Sequence, residues 1–240
     1  MSTRIEDYAL IGDCRSAALV SRDGSIDWLC WPRFDSEACF AALLGNREHG
    51  RWLVAPRDKA RITRQYRPNT LILETCFETA DGAAVLVDFM PFHGEHSEIV
   101  RLVHGTRGKV RMHTELILRF GYGAVVPWVT RLESGILRAI AGPDMALLRT
   151  PIHLKGKNLT TVGEFSVSRG ETIPLVLSYA DSHRSIALSH DATAALEATE
   201  KFWKQWSAKC RPAGEWSDAI YQAPSLTALL AQLPQRGWVF

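Results

Sequence analysis

The chain has 240 residues, of which 46% are hydrophobic and 22% charged, so it can bury a sizeable core as one large domain or two small ones. Its 28 lysines and arginines nearly balance its 26 aspartates and glutamates. A formal net charge of +2 without a basic stripe argues against a nucleic-acid partner. No apolar run reaches the ~18–20 residues of a membrane span, so no membrane partner is expected.

The cysteines and the amino terminus favour a cytoplasmic setting. The five cysteines, at positions 14, 30, 39, 76 and 210, are odd in number and form no CxxC motif. We therefore expect free thiols rather than a disulfide framework or a zinc site. The first ten residues, MSTRIEDYAL, lack the apolar core of a signal peptide, so we expect a cytoplasmic protein.

The opening stretch, residues 7–44, consists of short apolar runs separated by turn markers. Asp23-Gly24 lies between two β-rich runs and predicts a hairpin, because a tight hairpin turn needs a positive φ that Asp and Gly tolerate. Aromatic and charged side chains cluster just beyond the hairpin. They are Trp28, Trp31, Arg33, Phe34 and Asp35. Aromatic rings stack on the C–H faces of sugars and charged groups hold hydroxyls, so this cluster is typical of a sugar-facing surface.

From Gly50 to residue 180 the chain alternates short apolar runs with turn residues, which predicts an all-β antiparallel sandwich. The predicted strands are 51–55, 62–66, 70–79, 83–89, 99–103, 110–118, 136–140, 146–149, 161–167 and 172–179. Ala80-Asp81-Gly82 predicts a second hairpin, and Gly105-Thr106-Arg107-Gly108 predicts a turn between two strands. The absence of βαβ alternation argues against a parallel nucleotide-binding sheet.

Residues 191–210 (DATAALEATEKFWKQWSAKC) form the best helix pattern in the chain. Asp191 is placed to cap it, and apolar residues recur at a spacing of three to four. Glu197–Lys201 and Glu200–Lys204 have the spacing and order of stabilising ion pairs. The pattern predicts a β-sandwich domain at 1–188, a linker helix at 189–212, and a divergent segment at 213–240.

Motifs along almost the whole chain resemble the amino-terminal β-domain of bacterial trehalase and glucoamylase-like proteins of glycoside hydrolase family 15. They are IEDYALIGDCRSAALVSRDGSIDWLCWPRFDSEACFAALLG, GRW at 50–52, YRPNTL at 66–71, VDFMP at 87–91, RFGYG at 119–123, PWV at 127–129, AGPD at 141–144, and the tryptophans at 203 and 206. The resemblance implies a super-β-sandwich. In that family a catalytic (α/α)₆ barrel with two acidic catalytic residues follows this domain.

The resemblance implies an inverting hydrolase of α-glucosides, of the trehalase or glucoamylase type, acting in carbohydrate metabolism without a cofactor. We expect this chain to be its non-catalytic amino-terminal domain, reaching trehalose or a malto-oligosaccharide only through a missing barrel, because too few residues follow Cys210 for twelve helices. A truncated or frame-shifted gene is the corresponding hypothesis. The alternatives are a stand-alone carbohydrate-binding or interaction module without hydrolase activity, and an inert remnant that self-associates through exposed apolar surface.

The opening stretch supplies the candidate site residues. Asp13, Asp27, Asp35 and Glu37 are its carboxylates, and inverting hydrolysis needs two such groups. We favour roles in turns and in pairs with Arg15, Arg22 or Arg33, because the resemblance puts the catalytic acids elsewhere. Trp31, Arg33 and Asp35 are candidates for lining a substrate cleft where a barrel would dock, with plain packing as the alternative.

Three further groups of side chains are candidates for a functional role. Trp203, Trp206 and Trp216 are expected to be exposed and to form the interface with a barrel. Arg119, Tyr122 and Trp128 are candidates for a second binding cluster, but we favour a buried aromatic strand connection. The segment 93–96 (HGEH) resembles a metal clip but is better explained as a solvated loop, so no metal site is predicted.

Overall fold

The computed structural model describes residues 4–92, 96–184 and 191–209. Fifteen strands precede one α-helix, with three short 3₁₀ turns at Ile5–Asp7, Ala42–Leu44 and Arg47–His49. The strands are β1 (Tyr8–Gly12), β2 (Ala17–Ser21), β3 (Ser25–Cys30), β4 (Ala38–Phe40), β5 (Arg51–Pro56), β6 (Arg61–Tyr66), β7 (Leu73–Glu78), β8 (Gly82–Phe89), β9 (Glu98–Ile117), β10 (Trp128–Arg131), β11 (Leu137–Ala141), β12 (Asp144–Arg149), β13 (Leu154–Lys157), β14 (Thr160–Ser168) and β15 (Thr172–Asp181). The helix is α1 (Ala192–Ser207).

The strands form two antiparallel layers, which confirms the predicted all-β sandwich. Layer A has the order β1-β2-β3-β5-β9-β14-β13, with β4 beside β3. Layer B has the order β6-β7-β8-β9-β15-β12-β11-β10. The largest cluster of buried apolar side chains draws on both layers, from Ile11, Trp52 and Val54 in layer A to Phe77 and Leu175 in layer B. The core therefore lies between the layers, as sandwich packing requires.

The strand β9 belongs to both layers. Its first half pairs with β8 and β15 in layer B, and its second half pairs with β5 and β14 in layer A. The predicted turn at Gly105–Gly108 is therefore wrong, since these residues lie inside a single strand of 20 residues. Glycine inside a strand marks a bend or a close backbone approach as often as a turn. Here a Cβ on Gly105 would lie 2.1 Å from the Ser168 carbonyl oxygen.

Both predicted hairpins are present. The strands β2 and β3 pair across Asp23-Gly24, and β7 and β8 pair across Ala80-Asp81. Gly24 has φ +85° and a Cβ there would lie 2.4 Å from the Val54 carbonyl oxygen, so only glycine fits this turn. On β7 the side chains alternate, with Thr75 and Phe77 facing the core and Glu78 exposed.

The helix α1 begins and packs as its pattern predicts. The Asp191 side chain accepts a hydrogen bond from the Thr193 N–H at 2.9 Å, which satisfies one of the free donors of the first turn. The Ala192, Ala195 and Leu196 side chains pack against a second apolar cluster on the outer face of layer B. The predicted Glu200–Lys204 pair is present at 2.6 Å. No Glu197–Lys201 ion pair is found among the described residues, so that prediction was wrong.

Within the described part of the chain no helix is long and apolar enough to cross a membrane. The predicted boundaries at 188 and 212, and all of the segment 213–240, lie outside the described residues. Those divisions therefore stay predictions.

Candidate functional site

The two most buried carboxylates of the opening stretch hold strands and turns together. Asp13 Oδ1 accepts hydrogen bonds from the backbone N–H groups of Arg15 (2.9 Å) and Ser16 (2.8 Å). Burial raises the pKa of the Asp13 carboxyl, against the effect of these two donors. Asp27 accepts hydrogen bonds from the Tyr8 hydroxyl at 2.8 Å and from Ser25 Oγ at 2.5 Å. These contacts fit the structural interpretation of both residues better than a catalytic one.

Arg33 and Asp35 form a fork-shaped ion pair on the surface. Arg33 Nε and Nη2 donate to the two carboxylate oxygens of Asp35, each at 2.9 Å. The two side chains are 50% and 62% exposed, so water and salt weaken the attraction. Glu37, two residues further on, is also exposed. The pairing of Asp35 with Arg33 matches the structural alternative, and it fixes the direction of the guanidinium.

Trp31 is buried rather than open to a cleft. Its side chain is 3% exposed and packs against the Tyr179 ring, with a centroid distance of 5.9 Å. The indole Nε1 has no hydrogen-bond partner among the described residues. Trp31 therefore joins the opening segment to β15 from below the surface, and its expected direct contact with a sugar has no support in this packing.

Arg33 lines a polar surface cavity of about 350 Å³. The cavity brings together four segments that are far apart in sequence: the β1–β2 turn, the stretch after β3, the residues just before β9, and the end of β15 with the turn that follows it. Its lining consists of Arg15, Pro32, Arg33, His96, Ser97, Tyr179, Ala180, Asp181 and Arg184. Asp181 is its only acidic lining residue and pairs with Arg184 at 3.2 Å. We call it the Arg33 cavity.

The chemistry of the Arg33 cavity suits binding rather than hydrolysis. Three guanidinium groups and one carboxylate can hold sugar hydroxyls through charge-assisted hydrogen bonds. Inverting hydrolysis needs two carboxyl groups about 6.5–9.5 Å apart, and this lining offers only one. Below the surface the Tyr179 hydroxyl donates to Asp144 at 2.6 Å, and burial, helped by that carboxylate, raises the pKa of the phenol.

The sequence pattern located Arg33 but missed its neighbours in the cavity. Arg15 precedes Arg33 by eighteen residues, and Asp181 and Arg184 follow it by about 150. No local spacing connects positions so far apart. In the structure, the Phe34 N–H donates a hydrogen bond to the Arg15 carbonyl at 2.9 Å, and this bond holds the two segments side by side.

The tryptophans of the helix correct another expectation. Trp203 is 1% exposed and packs with Cys14 and Leu71 of the β-sandwich, so it is not on an open surface. Trp206 is half-buried at the edge of the same cluster. Trp216 lies outside the described residues. The apolar stripe of α1 packs against its own domain, because the strand face beneath it is apolar. Contact of Trp206 and Trp216 with another domain stays a prediction.

The second aromatic and basic cluster is split between buried and exposed positions. Arg119 is buried, and its Nη1 donates to the Leu118 and Leu159 carbonyls at 2.8 and 3.3 Å. Burial lowers the pKa of its guanidinium. The Tyr122 ring is half-exposed and tilted against Trp28 at 6.3 Å, and Trp128 is 77% exposed. The favoured interpretation as a buried connection therefore holds for Arg119 and fails for Trp128.

The candidate metal clip is only partly visible. His93 and Glu95 lie outside the described residues, while His96 lines the Arg33 cavity. Among the residues that the structure does describe, no group of three or more metal-binding side chains comes together.

Comparison with known structures shows the fold. A bacterial glucoamylase crystallised with acarbose superposes with a TM-score of 0.51 at 7% sequence identity, over 96% of this chain and 37% of that chain. At such low identity the likeness speaks for the architecture alone.

Comparison with known sequences shows the relatives. A trehalase from Mycolicibacterium smegmatis is 26% identical over 230 residues, which cover 84% of this chain and 34% of that protein. A trehalase from Thermoplasma volcanium is 23% identical over 228 residues, covering 92% of this chain and 36% of that protein. Trehalase 1 of Sulfolobus acidocaldarius is 38% identical over 134 residues, covering 55% of this chain and 22% of that protein. The chain thus spans about a third or less of the length of these relatives.

The family assignment rests on the greater part of the chain. The model of the trehalase-like N-terminal domain matches residues 1–192, which include all fifteen strands. The fold, the relatives and this match agree with one another, and the chain belongs to the trehalase-like N-terminal domain family.

Proposed function

We propose that this chain acts as the non-catalytic amino-terminal domain of an α-glucoside hydrolase of the trehalase or glucoamylase type. The observation that carries the proposal is the use of the carboxylates in the opening stretch. Asp13 and Asp27 accept hydrogen bonds that hold the first three strands, and Asp35 is paired with Arg33. Carboxylates committed in this way are poorly placed to protonate a leaving group or to activate water.

In this proposal the Arg33 cavity faces the α-glucoside or the domain that hydrolyses it. The relatives that match residues of this domain are named trehalases, which supports trehalose as the first substrate to test and maltose as the second. The Arg15, Arg33 and Arg184 side chains supply donors for sugar hydroxyls, and Trp31 fixes the floor by packing on Tyr179. No cofactor is needed for this role.

The first test is glucose release from trehalose and from maltose by the purified 240-residue chain. We expect no glucose above that of a heat-inactivated sample. Glucose release that is abolished in Asp35→Asn or Glu37→Gln, and kept in Glu164→Gln as a surface control, would place catalysis in this domain and overturn the proposal.

A second candidate function is sugar binding without turnover, as a stand-alone module. The polar lining of the Arg33 cavity favours it. Isothermal titration calorimetry with trehalose and maltose tests it, with Arg33→Gln as the site variant. Arg47→Gln is the matched control, because Arg47 is also an exposed arginine paired with a nearby acid, Glu48 at 3.2 Å. Binding that Arg33→Gln weakens and Arg47→Gln does not would support the module.

We also propose a cytoplasmic location and a tendency to self-associate. The four described cysteines are all free, which supports a reducing compartment. Exposed Ile5 and Leu44 support association through apolar surface. Sedimentation velocity over a range of protein concentrations measures the second property directly.

A further inference from the structure

A second cavity, of about 490 Å³, opens between the two layers and is lined by strands and the loops that join them. Its walls come from the end of β9, from β10 to β13, and from β14 and β15. The volume lies in the range of about 300–1,000 Å³ that is usual for small-molecule sites. None of its lining residues belongs to the Arg33 cavity, so it is a separate site. We call it the interlayer cavity.

The floor of the interlayer cavity is apolar. Leu116 of β9, Leu137 of β11, Leu148 of β12 and Leu177 of β15 line it from both layers. Thr130 Oγ1 in its wall is buried and has no hydrogen-bond partner among the described residues. A floor of this kind accepts an alkyl or aryl body, because apolar area leaves water when the ligand enters. It is unsuited to a free sugar, whose hydroxyls would lose their water partners.

The mouth of the interlayer cavity is positively charged. Its charged lining residues are Arg119, Arg131, Lys155 and Lys157, and the lining contains no acidic residue. Among the described ion pairs, none involves any of these four cations. Arg131 Nη2 donates to the Leu154 carbonyl at 2.6 Å, and Arg119 donates to two carbonyls, so hydrogen bonds to neutral backbone groups hold both guanidiniums in place. Arg131, Lys155 and Lys157 are exposed and have no ion pair among the described residues, so they favour an anionic group at this mouth, whereas Arg119 is itself buried.

Exposed apolar side chains extend the apolar lining of the cavity to the protein surface. Val126 and Trp128 stand at the start of β10, and Leu159 lies at the tip of the β13–β14 hairpin, where it is 72% exposed. Leu159 adopts φ +58°, a left-handed conformation that a bulky side chain adopts at an energetic cost. An exposed leucine in a conformation that suits asparagine or glycine indicates that its side chain serves a contact beyond the hairpin itself.

We propose that the interlayer cavity binds an amphipathic anion: a small molecule with an alkyl or aryl body and one carboxylate or phosphate head. The body lies on the leucine floor, and the head lies at the mouth between Arg131, Lys155 and Lys157. The complementarity of an apolar floor and an unneutralised cationic mouth selects this occupant over a sugar, a cation or a neutral lipid. The proposal stands independently of the role in α-glucoside hydrolysis.

The test is calorimetric titration of the whole chain with decanoate, at low ionic strength and below its micelle concentration. Decyltrimethylammonium, which has the same alkyl chain and the opposite charge, is the matched ligand. We expect one decanoate per chain, and binding of the cation at least about tenfold weaker. The variant Lys155→Gln/Lys157→Gln raises the decanoate Kd about fivefold, since each exposed cation contributes modestly. The control Lys59→Gln/Lys109→Gln changes two exposed lysines outside the cavity and leaves the Kd unchanged.

A second pair of variants keeps the test independent of folding defects. Both Leu159→Asp and Leu159→Asn place at φ +58° a residue that tolerates the left-handed region, and they differ only in charge. Leu159→Asp is expected to bind decanoate about threefold more weakly than Leu159→Asn, because a carboxylate at the mouth repels the ligand head. Equal affinities for the two variants, or equal binding of decanoate and decyltrimethylammonium, would overturn the proposal.

Two further measurements separate other occupants. Co-sedimentation with vesicles containing anionic phospholipid, without binding of monomeric decanoate, would assign the cations to a membrane surface and overturn the cavity proposal. A dimer in sedimentation velocity that Leu159→Asp abolishes and decanoate leaves intact would assign the cavity mouth to a second copy of the chain, which also overturns it.

Discussion

Arg101 and Asp88 form a fork-shaped ion pair in the centre of the sandwich, with both side chains fully buried. Arg101 Nε and Nη2 donate to the two oxygens of Asp88 at 2.7 and 3.1 Å. Two further guanidinium hydrogens reach the other layer, where they are accepted by the Trp52 carbonyl at 2.6 Å and the Gly24 carbonyl at 2.7 Å. The guanidinium also lies over the Trp52 ring, 5.1 Å from its centroid. A single side chain therefore ties β8 and β9 to the first hairpin.

Replacing Asp88 by Asn is expected to destabilise the fold strongly. The change leaves the Arg101 charge buried without its counter-charge, which costs about 3–5 kcal/mol of the free energy of unfolding. Urea denaturation followed by tryptophan fluorescence measures it. The control Glu164→Gln breaks the exposed Arg57–Glu164 pair at 3.4 Å and is expected to cost about 1 kcal/mol or less. If both variants cost the same, the network has no special role in joining the layers.

Replacing Gly24 by Ala is expected to cost more than the same change at another glycine of similar φ. Gly24 and Gly135 have φ +85° and +81°, so an alanine at either position pays about 1–2 kcal/mol for a left-handed backbone. Around Gly135 nothing lies within 4 Å of a new Cβ, whereas at Gly24 the Val54 carbonyl oxygen lies 2.4 Å away. The difference between the two variants in urea denaturation isolates the close contact. A difference near zero would mean that the hairpin shifts without penalty.

The described cysteines are expected to react in a fixed order with iodoacetamide. Burial raises the pKa of Cys14 to about 12 and of Cys30 to about 11, and raises that of Cys39 well above its usual value. Burial also raises the pKa of Cys76, but this side chain is only half-buried, so at pH 8 we expect it to react before the three shielded thiols. Mass spectrometry of a Cys210→Ser variant follows the labelling. Rapid labelling of Cys14 under native conditions would contradict the burial described above.

The attachment of α1 to the sandwich is expected to weaken in acid. Glu200 accepts from Lys204 at 2.6 Å and from Arg67 at 2.5 Å, and these donors, Lys204 first, lower the pKa of its carboxyl below 4.5. A lowered pKa in the folded state means that the stabilisation is present above about pH 4.5 and is lost as the pH falls through the folded-state value.

The thermal midpoint of wild type and of Glu200→Gln, measured by circular dichroism between pH 7 and pH 3, tests this prediction. The midpoints should differ at neutral pH and converge below about pH 4.5. Glu197→Gln is the control, because Glu197 is exposed on the same helix and has no ion pair among the described residues. A gap that persists unchanged to pH 3 would show that Glu200 acts through packing rather than charge.

Local patterns predicted the local structure well. Asp23-Gly24 indicated a hairpin because its backbone demand is met within two residues, and Asp191 indicated a helix start because its side chain caps the adjacent turn. Glycines at 105 and 108 misled, because in an isolated sequence a bend within a strand and a turn between strands have the same composition. Only the pairing of β9 with four other strands separates the two cases.

The sites were harder to predict because they depend on contacts across the layers. Trp203 was expected on a surface for another domain, yet an apolar helix stripe looks the same whether its own strands or a partner cover it. Asp88 stood in a strand as one carboxylate among apolar residues, and nothing nearby indicated that Arg101 would meet it in the core. The Arg33 cavity joins residues near the first and the last strands in sequence order, beyond the reach of any spacing rule.

The shared strand β9 has a consequence for how the protein is made. Its neighbours β14 and β15 lie some 50 to 80 residues further along the chain, and Thr172 pairs with His104. On the ribosome, a nascent chain that ends before residue 160 leaves one whole side of β9 unpaired in both layers. Such an edge invites pairing with other chains. Completion of the sandwich must therefore wait until β15 has emerged, and we expect a strong dependence on chaperones during synthesis.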